Sequence, residues 1–163
     1  NVVDAIDGID VYSDTAFYSF HKKGWYVQKG MNHMDGEKAL AYSRERYAYS
    51  SGDRHRGKNQ TDVIAAIVKK VSQNKKYLLK YNDILTSIQP YFTTNLELND
   101  VQELVKNQID TLKPWTVESI SVDGSNSQNY TASWPKQMTY VMIPNQSTID
   151  AAKEKINQVM RGA

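Results

Sequence analysis

The chain has 163 residues and a formal net charge of +2, with 40% hydrophobic and 23% charged residues, a balance suited to one packed domain. The near-neutral charge argues against a general nucleic-acid binder, and zero cysteines exclude disulfides, thiolate nucleophiles and zinc-thiolate sites. No apolar run approaches the roughly 18 residues of a membrane span, and an opening at Asn1-Val2-Val3 rather than Met, without a signal peptide, reads as a fragment boundary.

In chain order, residues 1–12 read as a short strand or turn entry, then a second strand after Gly8. Trp25–Gln28 is a further short strand. Glu37–Tyr42 is a brief helix that Asp35 is placed to cap, and 47–52 is an aromatic, turn-forming loop. Asp53 opens a long helix with an apolar stripe at Val63, Ile64, Ile67, Val68 and Val71, ended by Lys69, Lys70, Lys75 and Lys76. A solvated helix end is the plain reading of those lysines, and attraction to an anionic membrane surface is the other. The pattern then predicts a helix over about 77–91 stopping near Pro90, and another from Asn99 ended by Pro114. Trp115–Val122 and Met138–Ile143 read as strands around an exposed Ser-, Asn- and Gln-rich excursion at 123–137. Ser147 with Asp150 resembles a capping box for a last helix to about Met160. The fold class expected is one mixed α/β unit.

Only five of the twenty cations are Arg, and four of them (Arg44, Arg46, Arg54, Arg56) fall within thirteen residues. Arg44 and Arg46, at i and i+2, point the same way in an extended stretch. Asp53, Arg56 and Gln60, at i, i+3 and i+7, share one helical face, in the first turns where the helix dipole also favours an anion. Arg54 and Lys58 lie on a neighbouring face. The guanidinium fork matches phosphate oxygens two at a time, so convergence of the two halves suggests pyrophosphate. The plain alternative is a set of solvated arginines paired with Glu45 and Asp53. His21, His33 and His55 have no metal-ligand spacing and read as surface or loop groups, with His55 a candidate phosphate contact. Of eleven tyrosines, which suit sugar stacking, Tyr47 and Tyr49 stand beside the arginines. Asp4, Asp7 and Asp10 are not gathered by strand-like sequence and read as turn and surface groups.

The run Gly36-Glu37-Lys38-Ala39-Leu40-Ala41-Tyr42-Ser43-Arg44-Glu45-Arg46, followed by Asp53-Arg54-His55-Arg56-Gly57-Lys58-Asn59-Gln60, closely resembles the signature of the LytR-CpsA-Psr family of bacterial cell-wall glycopolymer transferases, with the flavour of its streptococcal capsule-attachment branch. Asn1–Tyr12 resembles the family segment that ends in a Gly-Gly pair, with Asp7 in the first position. The resemblance is specific over about 1–75 and loose over 76–163.

The resemblance implies a three-layer αβα fold, a mixed central sheet between helical layers. The chain is then a single domain or the C-terminal part of the family's catalytic domain, with 146–163 as a terminal helix. It implies an extracytoplasmic enzyme anchored in the membrane by an N-terminal segment absent here. Such an enzyme takes a polyprenyl-pyrophosphate-linked glycan and passes the glycan-phosphate to a peptidoglycan hydroxyl. Arg44, Arg46, Arg56 and Gln60 match the pyrophosphate-binding positions, Asp53 an acidic position that is a candidate hydroxyl-activating base, and Arg54 a variable position with an auxiliary role. Val63, Ile64, Ile67 and Val68 are candidates for the wall of a lipid tunnel, or a simple core face. The family's Mg²⁺-binding aspartates lie before the start of this chain, so the metal ligands are expected elsewhere. The competing reading is a non-catalytic module that captures polyprenyl pyrophosphate or an anionic glycan and regulates capsule assembly.

Overall fold

The structure, a computed structural model, describes residues 1–50, 52–88 and 93–162. They fall into two units, Asn1–Val117 and Glu118–Ala163.

The first unit opens with a helical turn, α1 (Val2–Ala5), where the Asn1 side chain accepts a hydrogen bond from the Val3 N–H at 2.9 Å. The β-branched pair Val2-Val3 suggests a strand, but the Asn1 cap and the first-turn Asp4 carboxylate favour the helical turn. Asp7 and Gly8 follow with φ of 58° and 77°. Asp tolerates this left-handed geometry better than most residues, so the turn forms without a Gly-Gly pair. Lys70 Nζ donates to the carbonyls of Asp7 and Gly8 at 3.0 and 2.6 Å, and Lys76 Nζ and the Tyr77 hydroxyl donate to the Asp7 carboxylate at 2.8 and 3.1 Å. The bonds from Lys76 and Tyr77 hold the Asp7 carboxyl below its ordinary pKa. Lys70 and Lys76 are thus pins for this turn rather than a solvated helix end.

Strand β1 (Ile9–Ser13) alternates Ile9, Val11 and Ser13 inward with Asp10 and Tyr12 outward. Two short strands, β2 (Phe17–Tyr18) and β3 (Tyr26–Val27), pair with each other, and β4 (Gly30–Met34) pairs antiparallel with β1, Ile9 opposite Met34 and Ser13 opposite Gly30. Helix α2 (Gly36–Arg44) starts at Asp35, whose carboxylate accepts from the Lys38 N–H at 2.8 Å. Helix α3 (Asp53–Ser72) carries Lys69 and Lys70 in its last turn. In place of one helix over 77–91 the chain forms α4 (Lys75–Leu78) and α5 (Tyr81–Ile88), because Asn74 caps a fresh start. The predicted stop near Pro90 lies outside the described residues, as does Ser51 of the predicted loop. Helix α6 (Leu98–Thr111) ends at Leu112, whose φ of 46° and N–H bond to the Gln108 carbonyl close it before Pro114 is reached.

The core of this unit is built on Ile6, Ile9, Val27, Met34 and Tyr42, all fully buried. From α3, Val63, Ile67 and Val71 pack against it, while Ile64 is 57% exposed. His55 lies flat on Tyr49, ring centroids 3.4 Å apart, and Tyr49 meets Phe17 edge-on at 5.2 Å.

In the second unit, β5 (Gly124–Thr131) and β6 (Trp134–Pro144) form an antiparallel hairpin with a register slip between Asn129 and Thr131. The predicted excursion at 123–137 is therefore mostly strand: backbone ladders need no apolar side chains, and Ser, Asn and Gln stand on its exposed faces. The alternating stretch 115–122 has the opposite fate and pairs with nothing as a strand among the described residues, since alternation specifies two faces but supplies no ladder partner. Helix α7 (Gln146–Met160) is capped by Asn145, whose side chain accepts from the Ser147 N–H at 3.1 Å, rather than by a Ser147–Asp150 box. The mixed α/β class holds. The strands described pair as three two-stranded antiparallel sheets, β1 with β4, β2 with β3 and β5 with β6. No helix described is long and apolar enough to cross a membrane.

Burial lowers the His55 pKa below its ordinary value of 6.5, so the unfolded chain binds this proton more readily and stability rises with pH through that window. We expect the melting temperature to fall as pH is lowered from 7 through about 6, and the H55F variant, which keeps the stacked ring, to show a smaller fall. An identical pH profile for both proteins would remove His55 from this role.

Candidate functional site

Arg44 is the last residue of α2, and Glu45 after it is extended, at φ −67° and ψ 128°. An extended step sends successive side chains to opposite sides. Arg44 and Arg46 therefore face one side and Glu45 the other, into the protein, where it is fully buried. One carboxylate oxygen of Glu45 accepts from the Phe20 N–H at 2.8 Å; the other faces the N–H groups of Arg46, Tyr47 and Ala48 at 3.1, 3.0 and 3.4 Å. Glu45 is thus not the surface partner of the arginines, because backbone donors take both its oxygens.

Arg44, Arg46, Arg56 and Gln60 come together as the sequence predicts, lining a cavity of about 360 Å³ with His21 and Tyr47. The Arg46 guanidinium lies 4.7 Å above the Tyr47 ring centroid and donates to the Tyr47 hydroxyl at 2.8 Å. That hydroxyl, with Asp53, raises the Arg46 pKa above its ordinary value. Asp53 Oδ1 lies between two guanidiniums, 3.6 Å from Arg46 and 3.4 Å from Arg56. Arg54 is not part of the cavity's lining.

The long helix positions two of these groups. It begins at Gly52, with φ of 51° and no side-chain cap, a geometry that favours glycine. Asn59 is buried on the inner side of α3 and donates to the Tyr42 carbonyl at 3.1 Å, tying α3 to α2. Arg56 and Gln60, one turn apart, then look outward into the cavity.

Of the three guanidiniums, Arg46 and Arg56 share the Asp53 carboxylate, and their contacts with it are long and well exposed, with Asp53 67% accessible. Ion pairs of this kind contribute about 0–1 kcal/mol, so the cavity keeps a net positive field. It can hold a group with several anionic oxygens, each guanidinium offering paired donors. Among the described residues, no group of three or more His, Asp or Glu side chains is placed to hold a metal. Asp4 accepts from the Gly36 N–H, Asp7 binds Lys76 and Asp10 binds His33, each by itself.

Sequence reasoning missed Glu45, Asn59 and His21. Glu45 had a signal: a residue between two arginines that face one way must itself face the other. Asn59 had none, because its i+3 spacing from Arg56 by itself suggests the same face. His21 had none, since only the packing of the β2–β3 connection brings it to the cavity.

A profile described as the LytR_cpsA_psr family matches residues 1–159. The polyisoprenyl-teichoic acid–peptidoglycan teichoic acid transferase TagU of Bacillus mycoides is 32% identical over 161 residues, 99% of this chain and 48% of its own length. The protein of the same name from Enterococcus faecalis is 34% identical over 103 residues, 63% of this chain and 33% of its own. Among solved structures, Lin1025 from Listeria innocua matches with a TM-score of 0.68 at 27% identity, over 96% of this chain and 61% of that one. TagV of B. subtilis shares the fold with a TM-score of 0.69 at 22% identity, over 96% of this chain and 58% of that one. The chain spans about half the length of the curated relatives it matches.

Replacing Glu45 by Gln leaves buried N–H groups facing an amide NH₂ in place of one carboxylate oxygen. Unsatisfied buried donors cost about 1–3 kcal/mol, and we expect E45Q to lose stability in that range in denaturant titrations. Unchanged stability would show that the carboxylate does not hold this loop.

Proposed function

The chain belongs to the LytR-CpsA-Psr family, and from that premise we propose that it supplies the pyrophosphate-binding part of an extracytoplasmic transferase. The enzyme passes a polyprenyl-pyrophosphate-linked glycopolymer, as its glycan-phosphate, to a hydroxyl of peptidoglycan. The observation that carries this reading is the convergence of Arg44, Arg46, Arg56 and Gln60 on one cavity. The relatives are named for teichoic acid, which makes teichoic acid the first choice of polymer. A capsule polysaccharide, to which the motif's resemblance points, is the second.

In this reading the three guanidiniums and the Gln60 amide hold the pyrophosphate oxygens and spread the charge that builds during transfer, with Arg54 auxiliary. The peptidoglycan oxygen attacks the phosphorus next to the glycan, and the bond to the polyprenyl phosphate breaks. Asp53 is the base: the incoming anion takes over Arg46 and Arg56 and leaves its carboxylate to accept the hydroxyl proton. The lipid tail follows the outer side of α3 beyond Gln60, where Ile64 is exposed, while Val63 and Ile67 of the same stripe are packed against the core. Magnesium, which the family resemblance implies, enters none of these steps. A second reading, capture of the pyrophosphate lipid without turnover, is favoured by the position of Asp53 between two arginines.

A charge-assisted hydrogen bond contributes about 1.5–3 kcal/mol, or roughly ten- to a hundredfold in affinity. We expect R44A and R56A each to weaken pyrophosphate binding by that factor, to abolish glycan transfer, and to leave the melting temperature nearly unchanged. Wild-type transfer by either variant sinks the assignment, while binding without any transfer by the unaltered protein selects the capture reading.

A further inference from the structure

Beside the anion cavity stand two large aromatic side chains left in water. Phe20 is 69% exposed and Tyr47 57% exposed, with ring centroids 4.5 Å apart and planes inclined at 49°. The His21 ring backs them, edge-on to Phe20 at 5.4 Å. Burying such rings would be favourable, and contiguous apolar surface of this kind marks a place where something binds.

Two observations connect the pair to the cavity. Tyr47 is itself a lining residue and carries the Arg46 guanidinium over its ring. The backbone N–H groups of Phe20 and Tyr47 also end on the two oxygens of the Glu45 carboxylate. The group that aims the arginines therefore aims these rings too.

We propose that Phe20 and Tyr47 form a saccharide-stacking subsite that takes the first sugar ring of the pyrophosphate-linked glycan. This rests on the pyrophosphate reading of the cavity. A sugar ring has a C–H face that packs against the electron-rich face of an aromatic ring, and a hydroxyl rim that keeps its hydrogen bonds to water. An open aromatic shelf flanked by charge suits that pattern. A prenyl chain is apolar on every side and calls for an enclosed groove rather than an open shelf.

The test is titration calorimetry with a matched pair of ligands, geranyl pyrophosphate and geranyl-pyrophosphoryl-N-acetylglucosamine. The unaltered protein binds the sugar-bearing ligand more tightly. The F20A variant, which keeps the backbone N–H to Glu45, loses about three- to tenfold for that ligand and nothing for geranyl pyrophosphate, and F20W restores the difference. Equal affinity of the unaltered protein for both ligands overturns the proposal. So does a loss in F20A confined to geranyl pyrophosphate, which would assign the rings to the tail. Weakened retention of F20A on anionic phospholipid vesicles with the sugar increment intact also overturns it, in favour of a membrane contact. Wild-type binding of geranyl pyrophosphate by R56A would instead refute the pyrophosphate reading, independently of what F20A does.

Discussion

A carboxylate with no access to water, that of Glu45, is the constraint on which the cavity depends. A buried charge is costly unless its hydrogen bonds are met, and here the chain meets them with backbone donors from two separate segments. Three successive N–H groups, from Arg46 to Ala48, curl around one oxygen, a concave arrangement suited to an anion. The fourth comes from Phe20, 25 residues earlier in the chain. One side chain thus sets where α2 ends, how the loop behind Arg46 turns, and where the β2–β3 connection lies against it.

The charges on the outer side are held differently. Asp53 bridges Arg46 and Arg56 through long, exposed contacts, which a dianion can displace at little cost. The backbone beneath is held by shorter bonds: a buried one from Asn59 to the Tyr42 carbonyl, and those of Lys70 and Lys76 to the Asp7-Gly8 turn. A scaffold fixed from below with cations loosely balanced on top suits a ligand that brings its own negative charge. Preorganised donors need little rearrangement when the charge arrives.

Much of this was legible in the residues. The spacing of Asp53, Arg56 and Gln60 placed them on one helical face, and the i, i+2 spacing aligned Arg44 with Arg46, as observed. Asp35 caps α2 as its position suggests. Misreadings fell where a pattern depends on a partner. Residues 115–122 alternate but find no ladder, while 124–131, polar throughout, find one in β6. Lys70 and Lys76 read as solvated because a lysine near a helix end usually is, and the Asp7-Gly8 turn that binds them lies more than 60 residues away.

The sequence by itself determined the chemistry of the site: which residues are permanently cationic, which face of α3 they share, and that a short polar residue could hold the left-handed turn before β1. These are properties of side-chain type and helical or extended period, both local. Only the tertiary structure decided that Glu45 points inward to gather four N–H groups, that Asn59 locks α3 to α2, and that Phe20 and His21 arrive beside Tyr47. Each of these joins segments well separated in the chain, and no local period records which distant backbone donor a buried carboxylate will meet.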